Sequence, residues 1–111
     1  MGNEQLITPL DIAQSIIAEI QTNGQRRTYQ SRVVRRIREE FGEEWSYKNH
    51  NGNWAIDRKV LTALGPLKSE HVIWDRSDQS WRIVTDEQLT MLREREERRR
   101  KLREERAARK A

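Results

Sequence analysis

The sequence predicts an α+β fold of the winged helix-turn-helix class, three helices plus a β-hairpin wing, followed by a charged C-terminal α-helix. Three observations predict it. Two amphipathic helical patterns fill the first forty residues, a short third one stops at Gly65-Pro66, and residues 71–84 alternate as two strands about a tight turn. That order of elements is the layout of the class.

The first helix opens at Thr8-Pro9, with Thr8 as N-cap, Pro9 at the first helical position and Asp11 at the third. Leu10, Ile12, Ala13, Ile16, Ile17 and Ile20 recur at helical spacing as its core stripe, and Asn23-Gly24 ends it. Residues 29–41 form the second helix, with Val33, Val34, Ile37 and Phe41 inward and Arg32, Arg35, Arg36 and Glu39 outward. Arg27-Thr28-Tyr29 adds a short extended rung before it. Trp45 and Tyr47 alternate with polar residues, so a short strand is open there, and residues 49–53 are a turn by composition.

The third helix is expected to begin between Asn53 and Asp57, both suitable N-caps, with Val60, Leu61 and Leu64 inward. An early start leaves Ala55, Arg58, Lys59 and Thr62 outward. In the hairpin, a turn at Arg76-Ser77-Asp78-Gln79 sets Trp74 across from Trp81 and Val72 across from Ile83. All four then share one buried face, and a slip of one residue would expel both tryptophans.

Thr85 and Gln88 are spaced as a capping box for the last helix, whose Leu89, Met91 and Leu92 touch the domain. Beyond them almost every residue is charged or Ala, and Leu102 alone gives no heptad seam. Glu94–Arg98, Glu96–Arg100, Glu97–Lys101 and Glu105–Arg109 are spaced as favourable ion pairs along a solvated helix.

By size the chain is one domain over residues 1–85 with a charged helix over residues 86–111. Residues 1–85 carry 12 Lys+Arg and 11 Asp+Glu, whereas residues 86–111 carry 10 and 7. The basic balance is therefore mostly the last helix's. A near-neutral domain binds DNA only if its few cations share a face. With no cysteine in the sequence, disulfides, zinc ribbons and thiol chemistry are excluded. No apolar run spans a membrane and no secretory pattern opens the chain, so a soluble cytoplasmic protein is expected.

The expected function is non-enzymatic binding of double-stranded DNA as a small regulatory or accessory protein. Arg58, Lys59 and Thr62 suit entry into a major groove, where Arg and Lys reach guanine acceptors or phosphate. Lys48 and Asn49, in the turn before the third helix, together with Arg32 and Arg76, suit backbone contacts. Arg98, Arg99, Arg100 and Lys101 add a salt-sensitive attraction to a polyanion, blunted by neighbouring glutamates. Each of these also has a bland reading, as a solvated helix face or an ordinary turn. Trp45 and Trp54 flank the polar turn and are candidates for partner contact. With His50 and His71 the only histidines, Asn49-His50-Asn51 lacks the ligands of a metal nuclease. No metal, cofactor or catalytic arrangement is expected. The alternative is a protein-interaction module, such as a phage adaptor engaging a host factor through Trp45, Trp54 or the last helix.

The stretches 41–49 and 51–61, with Asn51-Gly52-Asn53 and Asp57-Arg58-Lys59 at their heart, and then residues 72–76 and Trp81-Arg82, carry a resemblance. They are similar to an uncharacterised family of small bacterial and phage domains, over residues 8–82. The resemblance implies no activity and no catalytic residues. The charged helix after Val84 lies outside it.

Overall fold

The computed structural model describes residues 6–110. Residues 1–5 and Ala111, the ends of the expected domain and last helix, lie outside the described residues. The chain is a mixed α+β protein with small antiparallel sheets.

Helix α1 (Pro9–Asn23) begins where its capping residues dictate. Thr8 Oγ1 accepts from the Asp11 amide at 3.2 Å, and the Asp11 carboxylate accepts from the Thr8 amide at 2.9 Å. It ends at Gly24, whose positive φ of 60° lets its amide donate back to the Ile20 carbonyl. Ile12, Ala13, Ile16 and Ile20 are buried. Leu10 is not part of this stripe: it is exposed, because at about 100° per residue it falls well over a quarter-turn from the stripe's centre.

A two-residue strand, β1 (Thr28–Tyr29), leads into α2 (Gln30–Glu40), which buries Val33, Val34 and Ile37. Phe41 caps its C-terminus and packs half-buried against the core. Arg36, expected outward, bridges to α1 instead, with Nε 2.6 Å from Glu19, and its Nη1 lies 3.1 Å from Glu40 of its own helix.

Between α2 and the third helix lies a β-hairpin: the short strand left open around Tyr47 and the turn over residues 49–53 are both present, and a second strand, not expected, follows the turn. After a 3-10 turn (Glu43–Trp45), β2 (Ser46–Lys48) pairs with β3 (Trp54–Ile56) in the register Ser46↔Ile56, Tyr47↔Ala55, Lys48↔Trp54. The early start of the third helix is thereby corrected. Ala55 and Ile56 are buried strand residues, and Asp57 is the N-cap of α3 (Arg58–Leu64). The backbone resolves the ambiguity, since the Asp57 amide donates to the Trp45 carbonyl at 2.9 Å and closes the hairpin's base. Val60 and Leu64 point inward against α1, and Leu61, expected with them, is 38% exposed.

A second 3-10 turn (Gly65–Leu67) precedes β4 (Val72–Asp75) and β5 (Ser80–Ile83), which pair as Val72↔Ile83 and Trp74↔Trp81. The expected register is the observed one. β1 adds to the other side of β5, giving the order β1-β5-β4. Trp81, on the central strand, is 3% exposed, but Trp74 is 38% exposed and so is not the core residue expected. The reason is its strand: β4 is an edge, and Trp74 covers Trp81 from outside with ring centres 4.8 Å apart. Among the buried residues Thr28 and Ser80 are polar, and both are hydrogen-bonded, to Asn23 and Arg27.

Helix α4 (Asp86–Lys110) opens with the expected reciprocal bonds between Thr85 and Gln88. Leu89 is buried and Leu92 half-buried, while Met91 stays 58% exposed. His71–Asp86 at 2.5 Å and Arg93–Glu70 at 2.6 Å tie its first turns to the start of β4. From residue 93 onward every described residue is exposed. The projecting helix lengthens the molecule to 67 Å and its radius of gyration to 17.9 Å, against about 13 Å for a compact chain of this size. Of the four expected pairs along it, Glu97–Lys101 forms at 3.9 Å, while Arg100 turns to Glu97 and Glu104 rather than Glu96. No described helix is long and apolar enough to cross a membrane.

Candidate nucleic-acid interface

Helix α3 is two turns long, and its outward face is set by its cap. The Asp57 carboxylate accepts from the Lys59 amide at 2.8 Å, which occupies the anion nearest the face. Arg58, Lys59 and Thr62 are exposed, and neither cation is in an ion pair among the described residues. Two unneutralised cations and a hydroxyl on one short helix suit hydrogen bonds to phosphate or to base edges.

The β2–β3 hairpin supplies a second element. Asn49 Oδ1 accepts from the amides of Asn51 and Asn53, both at 3.0 Å, and Gly52 takes φ 81°. Asn49 thus organises its own turn, which leaves only its amide nitrogen for a partner. Cross-strand from Lys48, the Trp54 ring is overlaid by the Arg38 guanidinium at 3.6 Å, with Lys48 Nζ 5.4 Å from the ring centre. Arg38 also reaches Glu43 at 3.2 Å, and its Nε is buried without a hydrogen-bond partner.

Between this hairpin and α2 opens a cleft of about 420 Å³. Helix α2 lines it with Gln30, Ser31, Val34, Arg35 and Arg38. The hairpin contributes Asn49, Asn53 and Trp54, and the β4–β5 turn contributes Gln79. Arginines and amides thus surround an indole, and no carboxylate lines the cleft. Arg32 lines a neighbouring cleft that also contains Arg35, there accompanied by Glu19 and Glu39.

The β4–β5 turn is held down rather than extended. Arg27 Nη1 lies 3.0 Å from Asp75, 2.9 Å from Asp78 and 3.1 Å from Ser80 Oγ, and the Gln30 amide donates to the Gln79 carbonyl at 3.0 Å. The Ser77 hydroxyl and then Arg27 hold the Asp75 carboxyl down at about 2. Arg76 is exposed at the tip and unpaired among the described residues. With Asp78 neutralised, it is the free charge of that turn.

The structure therefore gathers Lys48 and Asn49 with Arg35, Arg38 and Trp54, and brings Arg32 beside Arg35. Arg58, Lys59 and Thr62 do not line the cleft. Arg98, Arg99, Arg100 and Lys101 are exposed on the projecting part of α4, the last two in ion pairs with glutamates. The sequence did not reveal the grouping of Arg35, Arg38 and Trp54, nor the Arg27 cluster. Asn51-Gly52 between alternating residues was the available signal for the hairpin that assembles the first of them. Among the described residues no group of three or more His, Cys, Asp or Glu is arranged to hold a metal ion.

No curated protein and no solved structure matches the chain. A family model does, over residues 8–83, and the chain belongs to that family, described as a family of unknown function (DUF6953).

Proposed function

We propose that this protein is a small, non-enzymatic nucleic-acid-binding protein that docks duplex DNA through α3, in a winged-helix arrangement. The observation that carries the reading is the exposed, unneutralised pair Arg58 and Lys59 beside Thr62 on one helix. The sheet order β1-β5-β4 behind three helices supports it, since that is the order a winged helix uses. Lys48, Asn49, Arg32 and Arg76 are the backbone contacts of this reading, and Arg98 to Lys101 add sequence-independent attraction. Its setting would be the cytoplasm of a bacterium or of a phage's host.

A salt titration against random duplex DNA tests this. Affinity should fall steeply with salt, and Arg58→Ala/Lys59→Ala should lower the slope of log K against log salt by roughly 2, about 0.9 for each phosphate no longer neutralised. No binding at low salt would contradict the reading.

One observation favours a protein-interaction module instead. Residues 1–85 carry 12 cations against 11 anions, and the wing turn spends Arg27 internally on Asp75 and Asp78. An adaptor, for example a phage protein engaging a host factor, needs no polyanion attraction. Half-exposed Trp54 is its natural contact point, whereas Trp45 is packed against the core.

A further inference from the structure

We infer that the cleft between α2 and the β2–β3 hairpin binds single-stranded nucleic acid, one unpaired base stacking on the Arg38–Trp54 pair and its phosphate resting on Arg35. This site shares Asn49 with the backbone contacts assigned to duplex DNA but not Arg58, Lys59 or Thr62 of α3, so the two readings fail separately.

The charge around the cleft is one-sided. The chain carries 18 acidic residues, yet none lines this cleft, whereas glutamates line the neighbouring cleft on α2 and two on α4. Arg35 is exposed there and in no ion pair among the described residues. The first turn of α2 opens at the same cleft, lined by Gln30 and Ser31, and Tyr29 gives it no side-chain cap. An anion at this cleft meets a guanidinium together with the positive end of a helix.

Geometry then selects the ligand among anions. The Arg38 guanidinium sits over the Trp54 ring, 3.6 Å from its centre, and Trp54 keeps 38% of its surface exposed. A nucleobase extends such a stack on an aromatic or a guanidinium plane, and stacking of this kind tolerates any base. Asn53, Gln30 and Gln79 offer both donors and acceptors to a base edge. An acidic peptide would use the charge but not the plane. In a duplex the bases are already stacked on one another, and a cleft of about 420 Å³ is the size of a small-ligand site, not of a groove-reading surface.

Fluorescence anisotropy of a labelled mixed-sequence single strand with the full chain at low salt tests this, alongside an abasic strand of equal length. Trp54→Ala is expected to weaken binding about 5- to 100-fold, the range of one base–aromatic stack, and Trp54→Phe to restore most of it. The abasic strand should bind the native protein as weakly as the intact strand binds Trp54→Ala. Arg35→Ala, a change at an exposed residue, should also weaken binding, and circular dichroism reports whether each variant is folded. Arg58→Ala/Lys59→Ala should leave single-strand affinity within about twofold. Equal affinity of native protein, Trp54→Ala and Arg35→Ala would overturn the inference. So would equal affinity for the abasic strand, or displacement of the strand by an equimolar glutamate-rich peptide or mononucleotide.

Discussion

The Arg38 guanidinium lies 3.6 Å from the centre of the Trp54 ring, joining the last turn of α2 to a strand that begins sixteen residues later. This contact fixes the β2–β3 hairpin against α2, and so fixes both the cleft and the entry to α3. Arg38→Ala should cost about 1 kcal/mol, the range of a cation–π pair at a partly exposed site. Removing the unpartnered Nε offsets part of the loss. Urea denaturation measures the cost, and a red shift in tryptophan emission should accompany it.

The Arg27 cluster gives the fold an acid-sensitive joint. The Asp75 carboxyl is lowered from 3.8 to about 2 by the Ser77 hydroxyl and Arg27. Its folded value lies below its unfolded one, so its contribution is fully present above about pH 4 and is lost as pH falls towards 2. Asp75→Asn should therefore lower Tm at neutral pH and flatten the fall in Tm between pH 4 and pH 2. A native-like slope in that window for the variant would contradict the assignment.

The two tilted, contacting tryptophans should differ sharply in cost. Trp81→Ala, at 3% exposure on the central strand, should destabilise by about 3–5 kcal/mol. Trp74→Ala removes a half-exposed ring and one aromatic pair, and should cost about 1–2 kcal/mol. Thermal or chemical unfolding separates them, and equal costs would contradict the edge position of Trp74.

Deleting residues 93–111 should leave the folded unit nearly as stable, since it removes one exposed ion pair, Arg93–Glu70, worth up to about 1 kcal/mol. Leu89→Ala, by contrast, empties a buried position and should cost about 2–4 kcal/mol. The deletion should also reduce the salt dependence of any polyanion binding, because it removes Arg98 to Lys101.

What was legible in the sequence is what short-range chemistry decides. Thr8, Asp11 and Gly24 bound α1 through bonds spanning four residues or fewer, and the period-two pattern around residues 76–79 fixed the Trp74↔Trp81 register. Of the β2–β3 hairpin, the turn and an open first strand were legible, but β3 was not, because a three-residue strand is too short to show a period. Nor was the Arg27 cluster, whose partner Asp75 lies 48 residues away. The exposure of Trp74 depends on which strand is an edge, and sheet order is not written in either strand. For the same reason the sequence places Lys48 and Asn49 ahead of α3 but shows the arginines that α2 sets beside them only as a solvated helix face.

The most direct test is an amide chemical-shift map of the full chain titrated with duplex DNA. The largest shifts are expected at Arg58, Lys59 and Thr62 on α3, with smaller ones at Lys48 and Arg76. Shifts confined to residues 98–101, or an unperturbed spectrum at low salt, would contradict docking through α3.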